Sequence, residues 1–260
     1  MMPRILATLS VILLVACATS PLGHQQLQLL SNDELTQMGN ASYQQIKQQT
    51  KTSNDARANR YVRCVANTIT RQLGSNTAWE VTVFEDDSAN AFALPGGKIG
   101  VNTGLLKVAE NQDQLATVIG HEVAHVIAGH PNARISAAYA TQTGLQLAQA
   151  ISGTNTPIKS DLFGLLGVGA QVGVLLPFGR TQESEADLLG LDLMAKAGFD
   201  PRQSIALWQN MSRAGGGRPP EFLSTHPSPT TRIADLNARI PQDLKLYEQA
   251  RAAGRSPNCN

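Results

Sequence analysis

The stretch Gln114–His130 reads QLATVIGHEVAHVIAGH and contains the motif His121-Glu122-Val123-Ala124-His125. Apolar residues recur around the motif at helical spacing, which predicts a helix over 112–130. Residues i and i+4 share one face of a helix, so the imidazoles of His121 and His125 can reach one ion. Glu122 lies about 100° further round, where its carboxylate can contact a metal-bound water. The alternative is a solvated helical face, but polar side chains within such an apolar helix need partners.

A catalytic zinc site of this kind needs a third protein ligand. The metzincin pattern would place Gly at 128 and His at 131, whereas this sequence has Ala128 and Pro131. His130 comes one residue too early for that pattern, and we expect it to have a structural role. The third ligand must therefore lie elsewhere in the chain.

The segment Gln182–Asp187, QESEAD, offers acidic candidates on a later predicted helix. Glu183 and Asp187 share one face, so one can bind zinc while the other hydrogen-bonds a ligand histidine. Glu185 is expected to point away from them. The alternative is an exposed acidic helix start, which the helix dipole also favours.

Four segments, taken together, resemble the gluzincin zinc metalloprotease family of HtpX and the Ste-type CAAX prenyl proteases. They are N-A-F-A-L-P-G-G at 90–97, the H-E-V-A-H helix, E-S-E-A-D at 183–187 and S-T-H-P at 224–227. They occur in the order typical of the family, within about residues 60–240. Because several long apolar spans are missing and a lipidation motif is present, the chain is most similar to the LoiP-like periplasmic lipoprotein proteases.

The resemblance implies a role for each matching residue. His121, His125 and Glu183 would bind one zinc ion per chain, and Glu122 would act as the general base. Asp187 would hydrogen-bond a ligand histidine, and His226 would stabilise the oxyanion, although a loop histidine without that role is the alternative. An edge strand that binds substrate through its main chain would contain Asn90, Ala91, Phe92 and Ala93.

The fold class predicted is α+β, mainly α, of the zincin-like metalloprotease type. Alternation predicts strands over 79–84, 90–94 and 98–102, which form a small three-stranded sheet beside the H-E-x-x-H helix. Other helices are expected over 31–51, 55–73, 103–108, 132–151, 160–176, 181–197, 201–213, 228–238 and 241–253. Strands confined to one early block, followed by many helices, indicate this class.

Composition argues against a nucleic-acid-binding protein. The 260 residues carry a formal net charge of +1 and only 5% aromatic residues. The chain therefore lacks both a strong positive field and a base-stacking surface. No nucleic-acid partner is expected.

The N-terminus indicates export. Arg4 precedes an apolar run that is too short to span a bilayer and is typical of a signal peptide over 1–16. Leu14-Val15-Ala16-Cys17 resembles a lipobox, in which Cys17 is acylated; the alternative is an ordinary signal peptide or signal anchor with an incidental cysteine. Ala18, rather than Asp, favours the outer membrane. We therefore expect a periplasm-facing lipoprotein with a lipidated tether over 17–30 and a single metallopeptidase domain over 31–260.

Two cysteines remain once Cys17 is acylated. Cys64 and Cys259 would pair in an oxidising periplasm, and the alternative is two free thiols. The uncharged, Gly-rich stretch Leu162–Phe178 is expected to be a buried helix or hairpin. Its alternative is a membrane-contacting element or a mobile flap over the cleft.

The predicted function is zinc-dependent hydrolysis of peptide bonds in unfolded or misassembled cell-envelope proteins. The lipid anchor would hold the enzyme at the membrane. Envelope chaperones or outer-membrane assembly proteins are possible partners under this prediction. One rival is a chaperone or assembly factor that binds chains through the same cleft. A second rival is a structural zinc lipoprotein, although structural zinc sites usually have four protein ligands.

Overall fold

The computed structural model describes residues 17–75, 77–152, 178–214, 221–226 and 231–259. The predicted signal peptide over 1–16 and the predicted helix over 160–176 lie outside the described residues. Of the apolar stretch Leu162–Phe178, only Phe178 is described.

The sheet that positions the site has three strands, β3 (Glu80–Phe84), β4 (Ala91–Leu94) and β5 (Lys98–Asn102). Their order is β3-β5-β4, with β3 parallel and β4 antiparallel to β5. The turn from β4 to β5 uses Gly96 and Gly97 at φ values of 82° and 73°, which residues with a side chain rarely adopt. Strand β4 therefore lies at the edge of the sheet, beside the H-E-x-x-H helix.

Helices form the rest of the fold. The described helices are α1 (Asn32–Gln49), α2 (Ala56–Thr70), α3 (Leu105–Val108), α4 (Gln112–Ile127), α5 (His130–Ser152), α6 (Arg180–Ala197), α7 (Gln203–Ala214), α8 (Glu221–Thr225) and α9 (Arg232–Ala252). Helix α2 continues into a 3₁₀ turn over Arg71–Leu73. The prediction of a mainly helical α+β fold with a small three-stranded sheet is confirmed.

Helix α4 lies at the centre of the core. The side chain of Asn111 caps its first turn by accepting hydrogen bonds from the backbone of Asp113 and Gln114. Helix α6 crosses α4 where Gly120 meets Gly190, and a Cβ added at Gly120 would lie 2.8 Å from the carbonyl oxygen of Gly190. The two glycines therefore allow the helix that carries the histidines to approach the helix that carries the acids.

The end of the chain differs from the prediction. Helices were expected over 228–238 and 241–253, but α9 continues through Pro241. A proline inside a helix removes one backbone hydrogen bond and costs about 3 kcal/mol. Leu236 and Ala250 are buried on either side of it, so packing of the whole helix offsets that cost.

Residues 17–30, expected to be a tether, are folded against the domain. Strands β1 (Cys17–Thr19) and β2 (Gln25–Leu27) pair antiparallel, and we call residues 17–27 the N-terminal ribbon. Gln26 donates its side-chain N–H to the carbonyl of Ala128 at 2.5 Å, and the backbone N–H of Leu29 donates to Ser136 Oγ at 2.8 Å. Polar contacts of this kind produce no hydrophobic periodicity in the sequence, so periodicity could not predict the ribbon.

Cys64 and Cys259 form a disulfide that joins α2 to the C-terminal segment. Cys17, the predicted lipidation site, is exposed at the start of β1. Within the described ranges, no helix has both the length and the apolar character needed to cross a membrane.

Candidate metal centre

Three side chains predicted to bind metal converge in the buried core. The Nε2 atoms of His121 and His125 are 3.1 Å apart. The carboxylate of Glu183 reaches both, with Oε2 3.4 Å from His121 Nε2 and Oε1 3.4 Å from His125 Nε2. Helix α4 provides the two imidazoles, and the first turn of α6 provides the carboxylate.

These separations fit a single metal ion. Two ligands that are each about 2.0–2.1 Å from a tetrahedral zinc lie roughly 3.3–3.4 Å apart. Two imidazole nitrogens and a carboxylate oxygen are also the donor types that zinc accepts. The residues present therefore fit a metal ion in both spacing and chemistry.

His226 also lies among these candidate metal ligands, which we call the donor group. It is closer to the other ligand atoms than its predicted role at the oxyanion requires. Its Nδ1 is 3.1 Å from Glu183 Oε1 and 3.3 Å from His121 Nε2. His121, His125, Glu183 and His226 each offer one ligand atom, and all four atoms lie within 4.8 Å of one another. The ring of Phe222 stacks on His226 with centroids 4.4 Å apart, which holds the imidazole in the site.

Glu122, the predicted base, points toward the sheet rather than into the donor group. Its Oε2 accepts a hydrogen bond from the backbone N–H of Ala93 at 3.2 Å. Its Oε1 makes no hydrogen bond in the described part of the chain, although His226 Nε2 lies 3.3 Å away. Burial raises the pKa of Glu122, and the nearby charges of His226 and His121 oppose that shift. One carboxylate oxygen is thus positioned by the edge strand while the other remains available.

The electrostatics of Glu183 keep it ionised. Burial alone would raise the pKa of Glu183, but hydrogen bonds from His121, His125 and His226 lower it well below its usual range. Burial also lowers the pKa of His125, which keeps this imidazole neutral. An ionised carboxylate beside a neutral imidazole is the protonation state in which both side chains bind metal.

Asp187 lies where the sequence placed it, one turn after Glu183. Its Oδ1 is 2.9 Å from Nδ1 of His121, whose Nε2 faces the donor group. A carboxylate in this position fixes the orientation of a ligand imidazole.

Sequence reasoning did not identify Arg232. Its Nη2 donates to Glu183 Oε2 at 2.8 Å and its Nε donates to Asp187 Oδ2 at 2.5 Å, with the side chain fully buried. The guanidinium also lies over the ring of Trp208, 4.0 Å from the centroid. One arginine therefore forms buried ion pairs with both Glu183 and Asp187. The only available signal was a basic residue shortly after the S-T-H-P segment, which does not distinguish it from surface arginines.

Phe178 and Arg134 close the opposite side of the site. The ring of Phe178 stacks on His125 with centroids 3.7 Å apart, and the Arg134 guanidinium lies over Phe178 at 3.9 Å. The cavity between these residues, Glu122 and the edge strand is about 10 Å³. Between these described side chains there is room for about one water molecule.

The predicted substrate strand borders this cavity. Asn90, Ala91, Phe92 and Ala93 all line it. Among the strands that the structure describes, β4 pairs only with β5, and the N–H of Ala93 points to the other side, toward Glu122. The free main-chain edge of β4 therefore faces the metal centre.

The fold and the donor group together define a metallopeptidase domain. The family model described as Peptidase family M48 matches residues 54–240. The chain belongs to this family, which confirms the predicted gluzincin resemblance at the level of the family.

The relatives of this chain include mitochondrial metalloendopeptidases and a bacterial protease. The mitochondrial metalloendopeptidase OMA1 of Schizosaccharomyces pombe is 40% identical over 171 residues, covering 65% of this chain and 48% of the relative. The human metalloendopeptidase OMA1 is 32% identical over 238 residues, covering 87% and 45% respectively. The beta-barrel assembly-enhancing protease of Escherichia coli is 28% identical over 228 residues, covering 85% and 47%. The chain spans about half the length of these relatives.

Proposed function

We propose that this chain is a zinc-dependent endopeptidase. The main support is that His121 Nε2, His125 Nε2 and the Glu183 carboxylate lie within 3.1–3.4 Å of one another. Membership of peptidase family M48 supports the same activity. Glu122 adds a carboxylate oxygen without a hydrogen bond in the described residues, on the side of the donor group that faces the edge strand.

Zinc at this centre would polarise the scissile carbonyl and lower the pKa of its bound water. Glu122 would accept the proton of the attacking water at Oε1 and deliver it to the leaving amine. The bond from Ala93 holds the other oxygen of Glu122, so the base is oriented before substrate arrives. His226, whose Nε2 is 3.3 Å from Glu122 Oε1, would donate a hydrogen bond to the oxyanion.

The substrates we propose are unfolded or misassembled proteins of the cell envelope. A peptide that adds to the free edge of β4 would be bound through its main chain, which selects extended conformation rather than sequence. The relatedness to a protease named for β-barrel assembly supports an envelope role. The apolar N-terminal run and the lipobox of this sequence favour the envelope over the mitochondrion named for the OMA1 relatives.

We further propose that Cys17 is acylated and anchors the chain to the outer membrane, facing the periplasm. The exposure of Cys17 at the start of the N-terminal ribbon is compatible with this modification. Radiolabelled palmitate should label the wild type expressed in a Gram-negative host and should not label Cys17→Ser. Equal labelling of both proteins would contradict this anchor.

The activity is tested with purified residues 18–260 and unfolded casein. Wild type, Glu122→Gln, wild type with a zinc chelator, and the exposed control Glu110→Gln are compared, with zinc content measured on each sample. We expect cleavage only by wild type and Glu110→Gln, with about one zinc per chain in all samples without chelator. Wild type that binds zinc but cleaves nothing would instead favour the chaperone or assembly factor, and a folded wild type without zinc would contradict the proposal.

A further inference from the structure

We propose that Glu185 and His130 are positioning residues for His125 and connect this ligand to the N-terminal ribbon. The inference rests on the proposed function because it treats His125 as a zinc ligand. It gives a role to Glu185 and His130, two buried side chains that are neither proposed zinc ligands nor the proposed general base.

The first link joins His125 to His130. Nε2 of His125 faces the donor group, so its ring hydrogen is on Nδ1. That Nδ1 lies 2.9 Å from Nδ1 of His130, which must therefore accept the hydrogen bond. Because a neutral imidazole that accepts at Nδ1 has its hydrogen on Nε2, His130 is a donor on its other side.

The second link joins His130 to Glu185. Nε2 of His130 is 3.3 Å from Glu185 Oε2, and both side chains are buried. The hydrogen bonds thus run in one direction, from His125 through His130 to a carboxylate. Each step pairs one hydrogen-bond donor with one acceptor. This series of hydrogen bonds therefore stabilises the tautomer of His125 that has its hydrogen on Nδ1 and leaves Nε2 free to bind metal.

The third link joins Glu185 to the N-terminal ribbon. Oε1 of Glu185 accepts the backbone N–H of Leu22 at 2.9 Å, and the hydroxyl of Ser20 also donates to this carboxylate. Both oxygens of Glu185 are therefore used as acceptors, one by the ribbon and one by His130. The side chain of Gln26 fastens the same ribbon to the end of α4.

Helix α6 consequently supplies three carboxylates with different tasks. Glu183 enters the donor group, Asp187 contacts His121 directly, and Glu185 acts on His125 through His130. The side chain of Glu185, expected from the sequence to point away, does point away from the donors. It nevertheless reaches one of them through one imidazole, and the position of the ribbon thereby affects the metal centre.

Glu185→Gln is the most informative variant because it preserves size while removing one acceptor. An amide offers one oxygen, so its NH₂ group must face either Leu22 N–H or the His130 Nε2–H. We expect zinc to bind about 10-fold more weakly, measured by competition with a chromophoric chelator. Glu248→Gln, an exposed change of the same type, should leave zinc affinity unchanged.

A pair of variants at His130 tests the direction of the hydrogen bonds. His130→Asn retains an acceptor near the position of Nδ1 and should bind zinc within a few-fold of wild type. His130→Phe fills the space but offers no acceptor, so its affinity should fall about 10–100-fold. Equal losses in the two variants would overturn the proposed direction.

Urea unfolding of the metal-free proteins separates positioning from general stability. Glu185→Gln with unchanged zinc affinity and lower metal-free stability would overturn the inference while leaving the proposed function intact. Tight zinc binding without casein cleavage by wild type would contradict the proposed function but not this inference. A folded wild type that binds no zinc would overturn both.

Discussion

Replacing Arg232 with methionine tests the charge balance around the metal centre. The arginine is 2% exposed and contacts Glu183 at 2.8 Å and Asp187 at 2.5 Å. Methionine preserves the length and the apolar contact with Trp208 but leaves two buried carboxylates without their cation. Removing one partner of a buried ion pair costs roughly 3–5 kcal/mol. At about 2–4 °C per kcal/mol for a domain of this size, the melting temperature should fall by roughly 6–20 °C.

Calorimetry of the metal-free and zinc-loaded proteins would measure this effect. The loss should be larger without metal, because bound zinc supplies positive charge to Glu183 in place of the guanidinium. Arg232→Lys should lie between wild type and Arg232→Met, since one ammonium cannot make both contacts of the fork. The exposed control Arg60→Met should change stability by less than about 0.5 kcal/mol. A loss below about 1 kcal/mol in metal-free Arg232→Met would refute the reasoning.

Three further changes test separate parts of the structure. Burial, followed by the neighbouring carboxylate of Asp192, raises the pKa of Asp243 to about 8, so folding favours its protonated form. The stability contributed by that proton is complete below about pH 4 and is lost as the pH rises to 8. Asp243→Asn should therefore stabilise the metal-free protein against urea by about 2 kcal/mol at pH 8 and by much less at pH 5; a gain independent of pH would contradict this account. Phe178 stacks on His125 and closes one side of the site, so substrate must displace its ring. Phe178→Ala removes this contact of about 0.5–1.5 kcal/mol, and kcat/KM for a short fluorogenic peptide should therefore rise roughly two- to tenfold. A fall in kcat/KM would indicate that the ring binds substrate. A Cβ at Gly190 would lie 2.7 Å from the backbone nitrogen of His121, so Gly190→Ala should separate α6 from α4 and cost about 1–3 kcal/mol in urea unfolding; an unchanged midpoint would show that the helices have room.

Local periodicity predicted the parts of the site that lie within single elements. The spacing of His121 and His125 on one helix, and of Glu183 and Asp187 on another, was readable because residues four apart share a face. Alternation likewise predicted the three strands of the sheet. The pairing of α4 with α6 was predicted from the need for a third zinc ligand, and the resemblance to a family assigned Glu183 that role. The structure explains the pairing physically by the contact of Gly120 with Gly190.

Contacts between distant elements were not predictable in the same way. Arg232 reaches Glu183 from 49 positions away, and Leu22 reaches Glu185 from 163 positions away. Such pairs leave no local pattern, because the two partners lie in different elements that are far apart in the sequence. The predicted break between residues 238 and 241 was wrong for a related reason, since packing of α9 on α6 outweighs the local preference of Pro241.

The central claim is that one zinc ion is held by His121, His125 and Glu183. The most direct measurement is anomalous diffraction at the zinc edge from crystals of the zinc-loaded protein. We expect a single peak about 2.0–2.2 Å from Nε2 of each histidine and from a carboxylate oxygen of Glu183. A folded, zinc-loaded protein whose anomalous peak lies away from these three side chains would contradict the account.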